Sequence, residues 1–187
     1  LATRSDSLFN FTRDSAGFGE VMAYFYIDSL QRYLRGLGIT STGVDSVRFD
    51  AHGAIADSGS FMEWDQTAYN NGTLAKIILS DRWIKDAEDA DAIIHEYTHA
   101  LHWGTFFSQT KSPNYTGEHA RVTEGLASYM ALSYSRSLYP NFERDSVYNW
   151  CSTFNRHVVS DAYVHPDSNL SSPNPHYPGG NLWATTL

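Results

Sequence analysis

The residues best equipped for chemistry stand in one pentad, His95-Glu96-Tyr97-Thr98-His99, which fits H-E-x-x-H. Histidines at i and i+4 lie one helical turn apart, so on a helix both imidazoles reach the same point and can hold one metal ion. The carboxylate beside them is then placed to take a proton from a water activated at that ion. This composition predicts about 0.01 chance matches to the pattern over the whole chain, so coincidence explains it poorly. The rival reading is a pair of satisfied core histidines with no metal, and zinc is the better one.

A tetrahedral catalytic zinc takes a third protein ligand and leaves its fourth corner to water. The metzincin pattern asks for Gly three residues and His six residues after the second histidine, where this chain has His102 and Thr105, so that pattern fails. Glu124 follows in Thr123-Glu124-Gly125-Leu126-Ala127-Ser128-Tyr129. At about 100° per residue, Ser128, Ala131 and Ser135 share its helix face, whereas Val122, Leu126 and Tyr129 lie opposite. A face of small residues lets one helix approach another closely and deliver a carboxylate to its metal. A solvated glutamate is the plain alternative.

These side chains need helices to present them. Over residues 86–103, Ala90, Ile94, Tyr97 and Leu101 cluster on one face and Asp91, His95, His99 and His102 on another, which predicts a helix that buries the first and aims the second into a cleft. Residues 121–137 are helical by pattern. Ala23, Ile27, Leu30, Leu34 and Leu37 predict an amphipathic helix over 18–37, stopped by Gly36 and Gly38. Residues 44–51 alternate as a strand, and 61–64 and 75–79 are short apolar strands, with Asn70-Asn71-Gly72 a turn between them. Beyond Pro140 the pattern fades. Residues 161–180, with Pro166, Pro173, Pro175 and Pro178, read as an irregular surface loop, and 182–187 as the start of a helix. The chain stops within that apolar stretch, so the expectation is a piece of a longer protein.

A length of 187 residues allows one domain over 1–187, with room for two lobes around a cleft. The 42% hydrophobic and 18% charged content is that of a folded chain with a real core. A net charge of -8 repels phosphates and anionic lipid, so neither nucleic acid nor a membrane surface is an expected partner. No apolar run approaches the roughly 20 residues of a membrane helix, and the N-terminus lacks the layout of a signal peptide. The lone Cys151 excludes an internal disulfide. Oligomeric state is not legible, and a monomer is assumed.

The run over 86–101, Asp-Ala-Glu-Asp-Ala-Asp-Ala-Ile-Ile-His-Glu-Tyr-Thr-His-Ala-Leu, followed by Glu124-Gly125-x-x-x-Tyr129, resembles the thermolysin-like gluzincins, particularly fungalysin-type peptidases and their bacterial relatives. The resemblance implies a zincin-like α+β fold: a small mixed-sheet lobe, then a mainly helical lobe, with the zinc helix at the cleft between them. It implies one catalytic zinc held by His95, His99 and Glu124, with Glu96 as general base in hydrolysis of peptide bonds by a metal-activated water. It further implies a peptide or protein substrate, extended along a sheet edge, and a secreted or extracellular setting. The family's downstream oxyanion-stabilising histidine corresponds loosely to His176, ahead of Gly179-Gly180-Asn181-Leu182-Trp183, with His157 and His165 as competitors.

One position departs from the family. Four residues after the third ligand, where the family carries an aspartate that orients a zinc histidine, this chain has Ser128. A hydroxyl can hydrogen-bond but has no charge, so the departure bears on ligand basicity, zinc affinity and turnover. It motivates a second reading, a zinc-retaining but catalytically inactive binding module of a larger secreted protein. Asp86, Glu88, Asp89 and Asp91 crowd the start of the zinc helix, where negative charge suits the helix dipole. A calcium site there would need further oxygen ligands that the sequence does not locate.

Overall fold

In the computed structural model the described residues are 8–41, 46–53, 59–64, 75–81, 85–107, 117–141, 146–150 and 156–157. They form an α+β arrangement of three α-helices, a three-stranded sheet and a two-stranded ribbon. None of these helices is long and apolar enough to cross a membrane.

Helix α1, Ala16–Gly36, buries Gly19, Ala23, Ile27, Leu30 and Leu34, a stripe with helical spacing, while Arg32 on the wet side pairs with Asp28 one turn earlier. Leu37, expected on the same stripe, is 61% exposed. The reason is the helix end. Gly38 takes a left-handed φ of 86°, its N–H donates to the Arg35 carbonyl, and the Ile39 N–H donates back to the Leu34 carbonyl. This glycine-centred stop turns the chain before Leu37 can face the core.

The sheet runs in the order β1-β3-β2, from β1 (Arg48–Gly53), β2 (Phe61–Trp64) and β3 (Ala75–Ser80). β1 is parallel to the central β3 and β2 is antiparallel to it. Ile77 and Leu79 on β3 are fully buried, as period-2 alternation in a half-covered sheet requires. The β1 register shifts between Asp50 and Gly53, and at Gly53 a Cβ would meet Ile78 Cγ2 at 2.2 Å, so only glycine fits that approach. β1 extends two residues past the expected 44–51, carrying Gly53 beside Ser80.

The expected helix over 86–103 is interrupted. A single 3-10 turn, Asp86–Glu88, precedes α2, Ala90–Phe107, with Asp89 extended between them at φ -108° and ψ 116°. The Asp89 side chain accepts the Asp91 N–H at 2.8 Å, which starts α2 afresh. Helix α3, Gly117–Leu138, lies along α2. Ile93, Ile94, Tyr97, Ala100 and Leu101 of α2 join α1, β3 and Leu132 of α3 in the core. Tyr97 is fully buried, and its hydroxyl accepts a 2.6 Å bond from Gln31 of α1, which fixes the rotation of α2 about its axis. Past α3, β4 (Ser146–Val147) and β5 (Arg156–His157) pair antiparallel, too briefly for periodicity to mark them. The expected turn at 70–72, the loop at 161–180 and the helix start at 182–187 lie outside the described residues.

Candidate metal centre

The core face of α2 decides what its other face does. With Ile94, Tyr97 and Leu101 turned into the core, His95 and His99 are carried toward α3. α3 meets them with small side chains: Ala120, Thr123, Ala127, Ser128 and Ala131 are each at most 1% exposed. Ser128 and Ala131 are two of the three residues expected on the face of Glu124. Their small size lets the helices come close enough for the glutamate to reach across.

His95 Nε2 lies 3.1 Å from His99 Nε2, and the two rings meet edge to face at 82° with centroids 4.7 Å apart. Glu124 straddles them, with Oε2 3.3 Å from His95 Nε2 and Oε1 3.5 Å from His99 Nε2. For ligand bonds of about 2.0–2.1 Å, the corners of a tetrahedron lie about 3.3–3.4 Å apart. The two imidazole nitrogens are spaced close to that figure and each faces a different oxygen of the one carboxylate, and with ligand atoms all within 4.8 Å of one another His95, His99 and Glu124 form a group that could hold a metal ion. Among the described residues it is the only such group of three or more ligating side chains. Without an ion, the same contacts need an imidazole proton between the two histidines, which is the competing chemistry.

Burial alone would push the Glu124 carboxyl up, but hydrogen bonds from His95 and His99, and their charge, hold it well below the usual carboxylate range. The carboxylate is therefore ready as an anionic ligand. Glu96 is buried beside His95. His102, one turn past His99, faces His119 of α3 with ring centroids 5.6 Å apart. Burial, then His119 and His99, lowers its pKa to about 4, so at neutral pH it is uncharged.

Ser128 Oγ lies 3.5 Å from His95 Nδ1. That separation exceeds the roughly 2.7–3.2 Å of a normal hydrogen bond to nitrogen. The hydroxyl is in position but holds the ring weakly.

The acidic cluster does more than favour a helix dipole. Asp86 Oδ2 accepts from both the backbone N–H and the hydroxyl of Ser60, and Glu88 pairs with Arg13. Asp89 Oδ2 accepts the Trp150 N–H at 3.2 Å, and Asp91 Oδ2 accepts the Tyr148 N–H at 3.1 Å. Asp89 and Asp91 thus bind the segment after β4 to the start of α2. Tyr148 has a left-handed φ of 62°, which costs a non-glycine residue about 1–2 kcal/mol. Its ring lies against His95, centroids 5.4 Å apart. Nothing in the sequence singled out Tyr148, because its placement rests on Asp91, 57 residues before it, and on Asp89, 61 residues before Trp150.

His176 and His165 lie outside the described residues, and of His157 only the backbone is described, paired with Ser146 two residues before Tyr148. No protein-family model matches the chain, and neither a curated protein nor a solved structure is found to match it.

Proposed function

We propose that this chain is the catalytic domain of a zinc-dependent endopeptidase of the thermolysin-like gluzincin kind. The observation that carries the reading is the convergence of two imidazole nitrogens, 3.1 Å apart, on the two oxygens of one carboxylate at 3.3 and 3.5 Å, from two helices that the core holds in contact. Two imidazoles and one carboxylate are a donor set suited to zinc, whereas calcium and magnesium favour oxygen ligands alone. The order of the elements supports a zincin-like fold as part of the same proposal: a small mixed sheet, then the histidine helix, then the glutamate helix. The antiparallel β2 at the sheet edge, packed near α2, offers extended peptide an edge to pair with. Secretion rests on the family resemblance alone.

A zinc ion at this position would supply Lewis-acid polarisation of the scissile carbonyl and of a water molecule. The chain's own groups do the rest. His95, His99 and Glu124 would hold the ion. Glu96 takes the proton from the attacking water as its oxygen bonds to the scissile carbon, then gives that proton to the amine as the C–N bond breaks. His176 is the residue we assign to the oxyanion.

The test is Glu96→Gln beside Glu124→Ala. The first variant should bind one zinc per chain and lose at least about 100-fold in peptide hydrolysis. The second should lose zinc at concentrations that saturate the wild type. Full activity in Glu96→Gln, or unchanged zinc affinity in Glu124→Ala, would refute the assignment. The long contact from Ser128 to His95 favours a second reading, the zinc-retaining but inactive binding module. One zinc per wild-type chain with no hydrolysis across a peptide library would establish that reading in place of the enzyme.

A further inference from the structure

We infer that Tyr148 is a positioning residue for the metal centre, fixing the plane of the His95 imidazole from a backbone segment that Asp89 and Asp91 bind to the start of the histidine helix. The inference rests on the metal-centre reading above. A histidine ligand needs its ring plane set by a contact other than the metal, and the usual agent is a group bonded to its second nitrogen. Here Ser128 Oγ lies 3.5 Å from Nδ1, longer than a normal hydrogen bond to nitrogen. His99 meets the ring edge to face, and the Tyr148 ring lies against it as well, tilted by 58°. Aromatic pairs at such separations have preferred geometries, so the tyrosine limits the orientations the imidazole can take.

The anchoring of Tyr148 explains why it can hold another ring still. Its left-handed backbone is disfavoured for a residue with a side chain, so the surrounding structure must impose it. Asp91 accepts its N–H, Asp89 accepts that of Trp150, and Val147 just before it is fully buried. Arg13 pairs with Glu88 and lies 4.3 Å from the centroid of the Trp150 ring, closing the segment from outside. Asp91 sits one helical turn before His95 on the same helix face, so the anchor and the ring it serves move as one body.

The experiment compares wild type, Tyr148→Phe, Tyr148→Leu, Asp91→Ala and Glu124→Ala by Zn2+ affinity, measured in competition with a chromophoric chelator, and by the visible spectrum of the Co2+-loaded protein. The NMR shifts of the His95 imidazole are followed in the metal-free protein. Tyr148→Leu should lose about 10-fold in Zn2+ affinity, shift the Co2+ bands and move the His95 resonances. Tyr148→Phe should restore all three, because the ring and not the hydroxyl makes the contact, and Asp91→Ala should reproduce the leucine variant. Affinity and spectrum in Tyr148→Leu equal to wild type overturn the inference, as do unmoved His95 resonances. If wild type and Glu124→Ala bind Zn2+ alike, the metal-centre reading fails separately, and the metal-free resonances still decide whether Tyr148 holds His95.

Discussion

Replacing Ser128 by aspartate should tighten metal binding, and the geometry sets the size of the gain. Ser128 is 1% exposed and its Oγ stops 3.5 Å short of His95 Nδ1. A carboxylate oxygen reaches roughly 1 Å farther from the backbone than a hydroxyl, enough to bring the contact into the range of about 2.7–2.9 Å for a charge-assisted bond. The His95 Nδ1–H would then donate to aspartate, leaving Nε2 unprotonated on the side where His99 and Glu124 lie. Partners of this kind change metal affinity by about 10–100-fold, or about 1.4–2.7 kcal/mol. The same carboxylate is buried, so the metal-free protein should gain nothing or lose slightly in Tm. With saturating Zn2+, the variant's Tm should rise by about 2–4 °C per kcal/mol of added stability. Competition titration against a chromophoric chelator at fixed pH measures the affinity, and Ser128→Asn, of equal reach and no charge, isolates the electrostatic part by gaining less. Equal or weaker Zn2+ binding by Ser128→Asp, in a variant whose metal-free Tm matches wild type, would refute the claim that this position orients His95.

His102 gives a pH dependence that can be read in the metal-free protein. Its folded pKa of about 4 lies below the ordinary 6.5, so below pH 6.5 the unfolded chain binds a proton that the folded one refuses. Its contribution is complete above 6.5 and is lost as pH falls toward 4. His102→Gln should therefore show a shallower decline of Tm across that window than wild type, and parallel curves would remove the assignment. At the other face of α2, Tyr97→Phe removes the 2.6 Å bond from Gln31 and should cost about 1 kcal/mol in urea unfolding. A loss below about 0.5 kcal/mol, within the scatter of surface substitutions, would mean that the bond does not fix α2.

Periodicity was enough to locate the helices, because a buried stripe repeats every 3.6 residues whatever it packs against. Ala23 to Leu34 on α1, and Ile94, Tyr97 and Leu101 on α2, are buried as that spacing implies. β2 and most of β3 are similarly legible, as short apolar runs between polar residues. Boundaries were less so. Gly36 and Gly38 marked the stop of α1, where Gly38 takes the left-handed φ, but the break at Asp89 depends on a side-chain hydrogen bond at a helix start, which hydrophobic pattern does not encode.

Local spacing is sufficient to put two imidazoles on one helix face and Glu124 at the head of a face of small residues. That these faces meet, with nitrogens and carboxylate oxygens 3.1 to 3.5 Å apart, emerges from the packing, because it depends on how α2 is rotated by Tyr97 and Gln31 and on how closely α3 can approach. The same packing set Ser128 at a long distance from His95 and brought Tyr148 to the same ring. Contacts between residues far apart in the chain carry no periodic signature. They arise when the core fixes the elements, and the side chains between them settle which atoms touch.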